Sequence, residues 1–257
     1  MKISTEGLIL TEQTIGENDK LVTVLTRSNG IIRCFVKGAK LLKGRRCTAT
    51  QSLGYSRLSI FSGREKYIID EAEPIELFFN LRKDIEKLSL AQYFCELAMY
   101  IVPENSPADE YLSLILNSLF LLSNQKRPDL MIKAVYEMRL LSIAGYMPNL
   151  ICCDECKCYE SDTMYFIFGE GKLMCSECFK RDSDAMPLSR GTLTAMRYSI
   201  YSDPKKLFSF SISDNSLMAF ADCAEKFLLT TIDHHFKSLD FYKRVRSVPL
   251  SDNSNSE

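Results

Sequence analysis

Apolar and polar positions alternate with a period of two over the first part of the chain. Apolar runs stand at Gly7–Leu10, Lys20–Thr26, Ile31–Val36, Tyr55–Phe61 and Lys66–Asp70, separated by polar or glycine-bearing turns. Short alternating runs bounded by turn residues predict strands with one buried face. Ser28-Asn29-Gly30, between the second and third runs, is a hairpin signal because Asn-Gly reaches positive φ at little cost. Five strands with no helix long enough for a crossover predict a small closed barrel, and an OB-fold has that strand count.

From Asp84 the period becomes helical. Asp84–Val102 reads as one helix, stopped by Pro103. Ser106-Pro107-Ala108-Asp109 supplies an N-cap, a first-turn proline and an early acid for a helix to Ser123, with Leu112, Ile115, Leu116 and Leu119 as its buried stripe. Pro128–Ala144 is a third helix, with Gly145 where a glycine would end it. Met164–Phe168 and Lys172–Met174 flank Gly169-Glu170-Gly171 as a β-hairpin. Ser189–Tyr201 and Asn215–Phe236 read as two more helices, the last with Leu217, Phe220, Ala221, Ala224 and Leu228 on one face. The expected class is α+β: a five-stranded OB-fold barrel followed by an all-helical domain carrying an inserted zinc hairpin. The expected boundaries are 1–80 for the barrel, 81–148 and 183–246 for the two parts of the helical domain, and 149–182 for the insertion. The polar tail 247–257 lacks a core pattern and is expected to be disordered.

Four cysteines add chemistry. Cys153-x2-Cys156 and Cys175-x2-Cys178 are separated by eighteen residues, and each knuckle aims two sulfurs at one point. Closing the intervening hairpin would bring the pairs together as a tetrathiolate zinc site. Four thiolates leave no open coordination position, so such a Zn2+, one per chain, would be structural. A reduced cysteine cluster or a redox pair is the competing explanation, and Cys152 or Cys158 could exchange with a ligand. Cys34, Cys47, Cys95 and Cys223 read as small core or strand residues. With ten cysteines but no secretory signal (Glu6 and Glu12 flank the first apolar run), a reducing cytoplasm is expected. No apolar run reaches the length of a membrane-spanning helix.

Charge is unevenly spread. Arg27 to Lys66 holds ten Lys or Arg and one acid, Glu65, a net +9; the whole chain carries −1, so the remainder sums to −10. Such a segment expects an anionic partner. Within it, period two puts Ile32, Cys34 and Val36 on one face of the third strand and Arg33, Phe35 and Lys37 on the other. Two cations around a ring suit phosphate neutralisation and base stacking. Tyr55 and Arg57 continue the alternation on the fourth strand, with Leu58 and Ile60 inward, and the intervening loop adds Lys40, Lys43, Arg45 and Arg46. These residues are the candidate nucleic-acid surface.

Enzyme signatures are lacking. Gly38-x5-Gly44 has neither the spacing nor the Lys-Ser/Thr of a phosphate loop. His234 and His235 stand near a predicted helix end, where a dipole role suffices. Asp70-Glu71-Ala72-Glu73 reads as solvated acids at a strand end, and no Gly-x-Ser-x-Gly is present.

Beyond these readings, an ordered set of segments resembles the RecO family of recombination mediators over roughly residues 1–245. Gly7-Leu8-Ile9-Leu10, Leu25-Thr26 with Gly30, and Lys37-Gly38-Ala39-Lys40 resemble its opening strands and basic loop. Ala72-Glu73 resembles the end of its last barrel strand, and Tyr93 with Glu96-Leu97 its first long helix. Tyr136-Glu137-Met138-Arg139-Leu140-Leu141, then Gly145-Tyr146-Met147-Pro148 and Cys153-x2-Cys156, is similar to its most distinctive segment. The chain departs where the family often has Gln-Pro-Phe: Gln51-Ser52-Leu53 stands there, leaving Phe35 and Tyr55 to supply stacking. The resemblance implies a non-enzymatic protein of DNA repair and recombination in the bacterial cytoplasm, associated with the nucleoid. It implies binding of single- and double-stranded DNA and annealing of complementary strands. It also implies work with RecR to load RecA onto strands coated by single-strand binding protein, whose acidic tail the helical domain would recognise through Lys133 or Arg139. A zinc-ribbon RNA-binding or transcription accessory protein would share the thiols and the basic barrel.

Overall fold

A computed structural model of the chain describes residues 2–39, 45–63, 66–180 and 184–247, without the side chains of residues 45 and 46. It divides into two compact units: Met1–Thr26, Ile31–Tyr100 and the chain from Phe236 onward form the first, and Arg27–Gly30 with Ile101–His235 form the second.

In the first unit, β1 (Lys2–Ile15), β2 (Asp19–Thr26), β3 (Gly30–Val36), β4 (Tyr55–Ser62) and β5 (Tyr67–Glu76) close a barrel in the order β1-β2-β3-β5-β4. All five expected strands form. β1 is far longer than its apolar run, because Lys2–Glu6 alternates through mostly polar residues and Thr11–Ile15 is exposed on both faces. It serves both sides of the barrel: Lys2–Leu8 pairs with β4 and Gly7–Ile15 with β2, with a register shift between Ile9 and Thr11. Such an irregularity bends a strand, and that bend lets β1 close the sheet on itself. Gly7 sits in the segment shared by both partners; a Cβ there would lie 2.6 Å from Val24 Cγ1. The interior holds Ile9, Val24, Ile32, Cys34, Leu58 and Ile60, and burial pushes the Cys34 thiol up to about 12.

A short helix, α1 (Arg45–Ala49), lies between β3 and β4, and α2 (Ile85–Ile101) follows the barrel. The first unit also contains α7 (Lys237–Ser247). The sequence reading ran one helix through to Phe236. Instead α6 (Asp214–Thr231) ends at Thr231, with Ile232 extended at φ −107° and ψ 104°. Thr230-Thr231-Ile232 is a β-branched run, which favours extended backbone. Phe236 then packs edge-on against Tyr93 (6.1 Å) and Tyr100 (5.8 Å), while the Ser238 amide donates to Glu96 Oε2 at 2.9 Å. The Glu96 carboxylate thereby caps the first turn of α7.

The second unit is built on α3 (Asp109–Ser123), α4 (Asp129–Ile143), α5 (Arg190–Tyr201) and α6. Ser106 does not cap α3: the helix starts after Ala108, whose amide donates to Arg27 O at 2.9 Å, and Arg27 pairs with Asp109. Leu112, Ile115 and Leu119 are buried as expected, whereas Leu116 is half-buried and Leu122 completes the stripe. Gly145, at φ +92°, ends α4 in the left-handed conformation. α4 packs against α3, α5 and α6, and every residue from Met131 to Met138 is buried. The unit also holds a four-stranded sheet of order β6-β8-β7-β9, from β6 (Asn149–Cys153), β7 (Met164–Ile167), β8 (Lys172–Cys175) and β9 (Ala185–Leu188). The β7–β8 hairpin turns at Gly171 (φ +59°), where a Cβ would meet the Phe227 ring at 3.3 Å. Among the described residues, no helix is long and apolar enough to cross a membrane.

Candidate metal centre and nucleic-acid interface

The four-cysteine group forms where two strands end. β6 and β8 run parallel, so Cys153 at the end of one lies beside Cys175 at the end of the other. Beyond each the chain turns tightly. The Lys157 amide donates to Cys153 O at 3.1 Å, and the amides of Cys178 and Phe179 donate to Cys175 O at 3.1 and 2.9 Å. These turns fold Cys156 and Cys178 back toward the strand-end sulfurs. The four Sγ atoms of Cys153, Cys156, Cys175 and Cys178 lie within 4.8 Å of one another, with Cys156 and Cys175 3.6 Å apart. A tetrahedron with metal–sulfur bonds of about 2.3 Å has sulfurs about 3.8 Å apart, so this group could hold a metal ion. Hairpin closure alone was the expected means of joining the knuckles; the parallel β6–β8 pairing does the rest, and β6 was not read from the sequence.

Burial opposes ionisation of Cys153, but the amides of Cys175, Cys156 and Glu155 outweigh it and bring its thiol down to about 6. The Cys175 amide donates to Cys153 Sγ at 3.3 Å. Cys175 is lowered too, its burial outweighed by the amides of Cys178 and Glu177 and by the neighbouring thiols. Side-chain hydrogen bonds to Cys175 and Cys156 push Cys178 up to about 12. The uncoordinated cluster therefore retains protons that a divalent cation would displace. Cys158 stands outside the four-sulfur group, as does Cys152, and the neighbouring thiol of Cys156, with burial, pushes Cys158 up to about 12.

Sequence reasoning missed Arg197 on α5. Its Nε donates to Leu150 O at 2.7 Å, and its Nη2 donates to Ile151 O at 2.9 Å and Tyr159 O at 3.1 Å. Its guanidinium also stacks 4.1 Å from the Tyr159 ring centroid. One planar side chain thus ties β6 to the loop beyond the first knuckle. An exposed-looking Arg within a helical pattern carries no signal of this in sequence.

On the barrel, the alternation of β3 holds. Ile32, Cys34 and Val36 are buried, Arg33 and Lys37 are exposed, and Phe35 is half-buried. Arg33 and Lys37 form no ion pair among the described residues. β5 pairs parallel to β3 at Phe35↔Ile68, and Lys66 Nζ lies 5.7 Å from the Phe35 ring centroid. In sequence, Lys66 shows only its charge and its place at the start of the fifth run, not its neighbour Phe35. Tyr55 and Arg57 also face outward, but they are engaged: Tyr55 Oη donates to Glu6 Oε2 at 2.7 Å, and Arg57 lies 3.8 Å from Glu6 and 3.6 Å from Glu73. β5, with exposed Glu71, Glu73 and Glu76, stands between β3 and β4 in the barrel. The open cationic face is therefore that of β3 with Lys66, and it does not run on to β4. Lys40 and Lys43 lie outside the described residues, as do the side chains of Arg45 and Arg46.

Lys133 is not a surface cation. It is 3% exposed and lies 2.8 Å from both Glu137 and Glu225. α4 is surrounded by three helices, so its polar i,i+4 pair is enclosed with the acid from α6. Arg139 is half-buried, donates to Ile200 O, and borders a cavity of about 150 Å³ with Leu114, Ile143 and Leu207.

A closed five-stranded barrel with exposed cations along β3 and a helical unit that carries four clustered thiols define a mixed α+β class. Family models described as Recombination protein O N terminal and Recombination protein O C terminal match residues 1–78 and 82–240. The DNA repair protein RecO of Acetivibrio thermocellus is 33% identical over 246 residues, covering 96% of this chain and 98% of that protein. That of Thermoanaerobacter sp. is 30% identical over 96% of this chain and 99% of its own, and that of Alkaliphilus metalliredigens 27% over 95% and 100%. The chain belongs to the RecO family of DNA repair proteins.

Proposed function

We propose that this chain is a non-enzymatic recombination mediator that binds single- and double-stranded DNA and anneals complementary strands. With RecR it would help load RecA onto single strands coated by single-strand binding protein. The observation that carries this is the face of β3: Arg33 and Lys37 exposed on either side of Phe35, with Lys66 beside the ring. Phosphate neutralisation is independent of sequence, and every base offers a π-face to a ring. A chain held by its backbone keeps its pairing edges accessible, so strands can anneal without hydrolysis. The strand order β1-β2-β3-β5-β4, closed and with β3 parallel to β5, supports reading the barrel as an OB-fold.

The four thiolates would hold one structural Zn2+, since a closed tetrathiolate set of this spacing suits zinc and leaves no site for substrate. For the acidic tail of single-strand binding protein, the burial of Lys133 argues against that residue as the contact and leaves Arg139, which borders a cavity that offers Leu114, Ile143 and Leu207 but also the acids Asp109 and Glu110. The test is annealing of complementary oligonucleotides precoated with single-strand binding protein. Acceleration by this chain supports the reading; annealing at the rate of the coated strands alone overturns it.

A further inference from the structure

Helix α7 carries a surface that the proposed function does not use. It buries Leu239 and Tyr242 and leaves Lys237, Phe241, Arg244 and Arg246 exposed. At 100° per residue, Lys237, Phe241 and Arg244 fall within about 60° of one another, on the side opposite the two buried residues. The ring, 38% exposed, thus stands between two cations about 10 Å apart along the helix axis. Lys237, Arg244 and Arg246 form no ion pair among the described residues. Lys237–Ser247 contains four cations against Asp240 alone, a net +3 in a chain whose total is −1.

Helix electrostatics explain only part of this. Arg244 and Arg246 in the last turn suit the negative end of the helix. Lys237 stands in the first turn, where the dipole opposes a cation, and a solvent-facing Phe gains nothing from the helix. The cation–ring–cation order repeats that of Arg33 and Phe35 on β3 and Lys37 just beyond its end, within the same compact unit.

We propose that this face of α7 is a second contact for single-stranded nucleic acid, with Lys237 and Arg244 on phosphates and Phe241 against a base. The proposal rests on the DNA-binding reading above. A membrane surface is the other polyanion that a basic helix could meet; the ring set between two cations favours a strand that offers both phosphates and bases.

The test is fluorescence anisotropy of a labelled oligo(dT) with the full chain across a NaCl series. Lys237→Gln with Arg244→Gln should lower the log–log salt slope by about 1.4, and either change alone by about 0.7, while Lys237→Arg with Arg244→Lys keeps it. Phe241→Ala should weaken binding about fivefold or more without changing the slope. An unchanged slope in the α7 variants, alongside a reduced slope in Arg33→Gln with Lys37→Gln, would overturn the second contact and leave the barrel reading standing. The reverse pattern would support α7 and sink the barrel face. A wild-type chain that does not bind the probe would overturn both. If the α7 variants lost only adhesion to phosphatidylglycerol vesicles, the proposal would fail in favour of a membrane surface.

Discussion

Lys133 Nζ lies 2.8 Å from Glu137 Oε1 one turn further along α4, and equally close to Glu225 Oε2 on α6. Burial disfavours the lysine charge, but the two carboxylates more than compensate, so its pKa is raised above the ordinary value. Lys133→Ala would leave Glu137 buried beside an empty site, and breaking such a pair costs about 3–5 kcal/mol. Urea denaturation should show that loss. The sign with pH follows from the raised pKa: the stabilisation is fully present below the unfolded value of 10.5 and is lost only as pH rises through the folded one. The lysine's contribution should therefore be flat across neutral pH and fade on the alkaline side.

The barrel prediction separates free cations from engaged ones. Arg33→Gln with Lys37→Gln should reduce the salt slope of oligo(dT) binding by about 1.4. Arg57→Gln should change it little, because Glu6 and Glu73 already face that guanidinium. Equal effects from all three residues would mean that β3 is not the distinguished surface.

Arg197 makes a separate test of how the first knuckle is held. Its three backbone acceptors lie on Leu150, Ile151 and Tyr159, a fork geometry that an ammonium cannot reproduce. Arg197→Lys should destabilise the second unit by roughly 1.5–3 kcal/mol, the scale of hydrogen bonds to a charged group. It should also speed metal release to a chelator, whereas Arg190→Lys, whose side chain is 86% exposed, should not.

These contrasts show what the sequence could and could not carry. Ile32, Cys34 and Val36 were legible as interior because period two is enforced by one buried face, and the knuckles because two-residue spacing is a local geometry. The engagement of Arg57 was not legible, since it depends on which strands become neighbours around a closed barrel. Glu6 and Glu73 are 51 and 16 residues away from it in sequence. Lys133 read as an open contact for an acidic tail because the acid that balances it across helices, Glu225, lies 92 residues on. β6 has too few residues to show a period, and α7 is predominantly polar, with two buried residues in eleven. The expected helix over Asn215–Phe236 stops one residue short of α7, which was not read as an element of its own.

Metal removal tests the joint between β6 and β8. The purified chain should carry one zinc ion, and Cys153→Ser or Cys175→Ser should abolish it, since both sulfurs are buried at strand ends. Cys152→Ser should retain it, because that sulfur stands outside the four-thiol group. Protons compete for the same sulfurs, so affinity should fall as pH falls toward the value of about 6 to which the surrounding amides bring Cys153. Chelation should raise amide exchange in Met164–Ile167 and Lys172–Cys175, because uncoordinated thiols no longer pin the ends of the β6–β8 pair. Exchange in β2 and β3 should stay as it was, since those strands belong to the other compact unit. A chain isolated without metal yet fully protected in β7 and β8 would show that packing on Phe166 and Phe227, whose rings lie 5.2 Å apart edge to face, holds the sheet unaided.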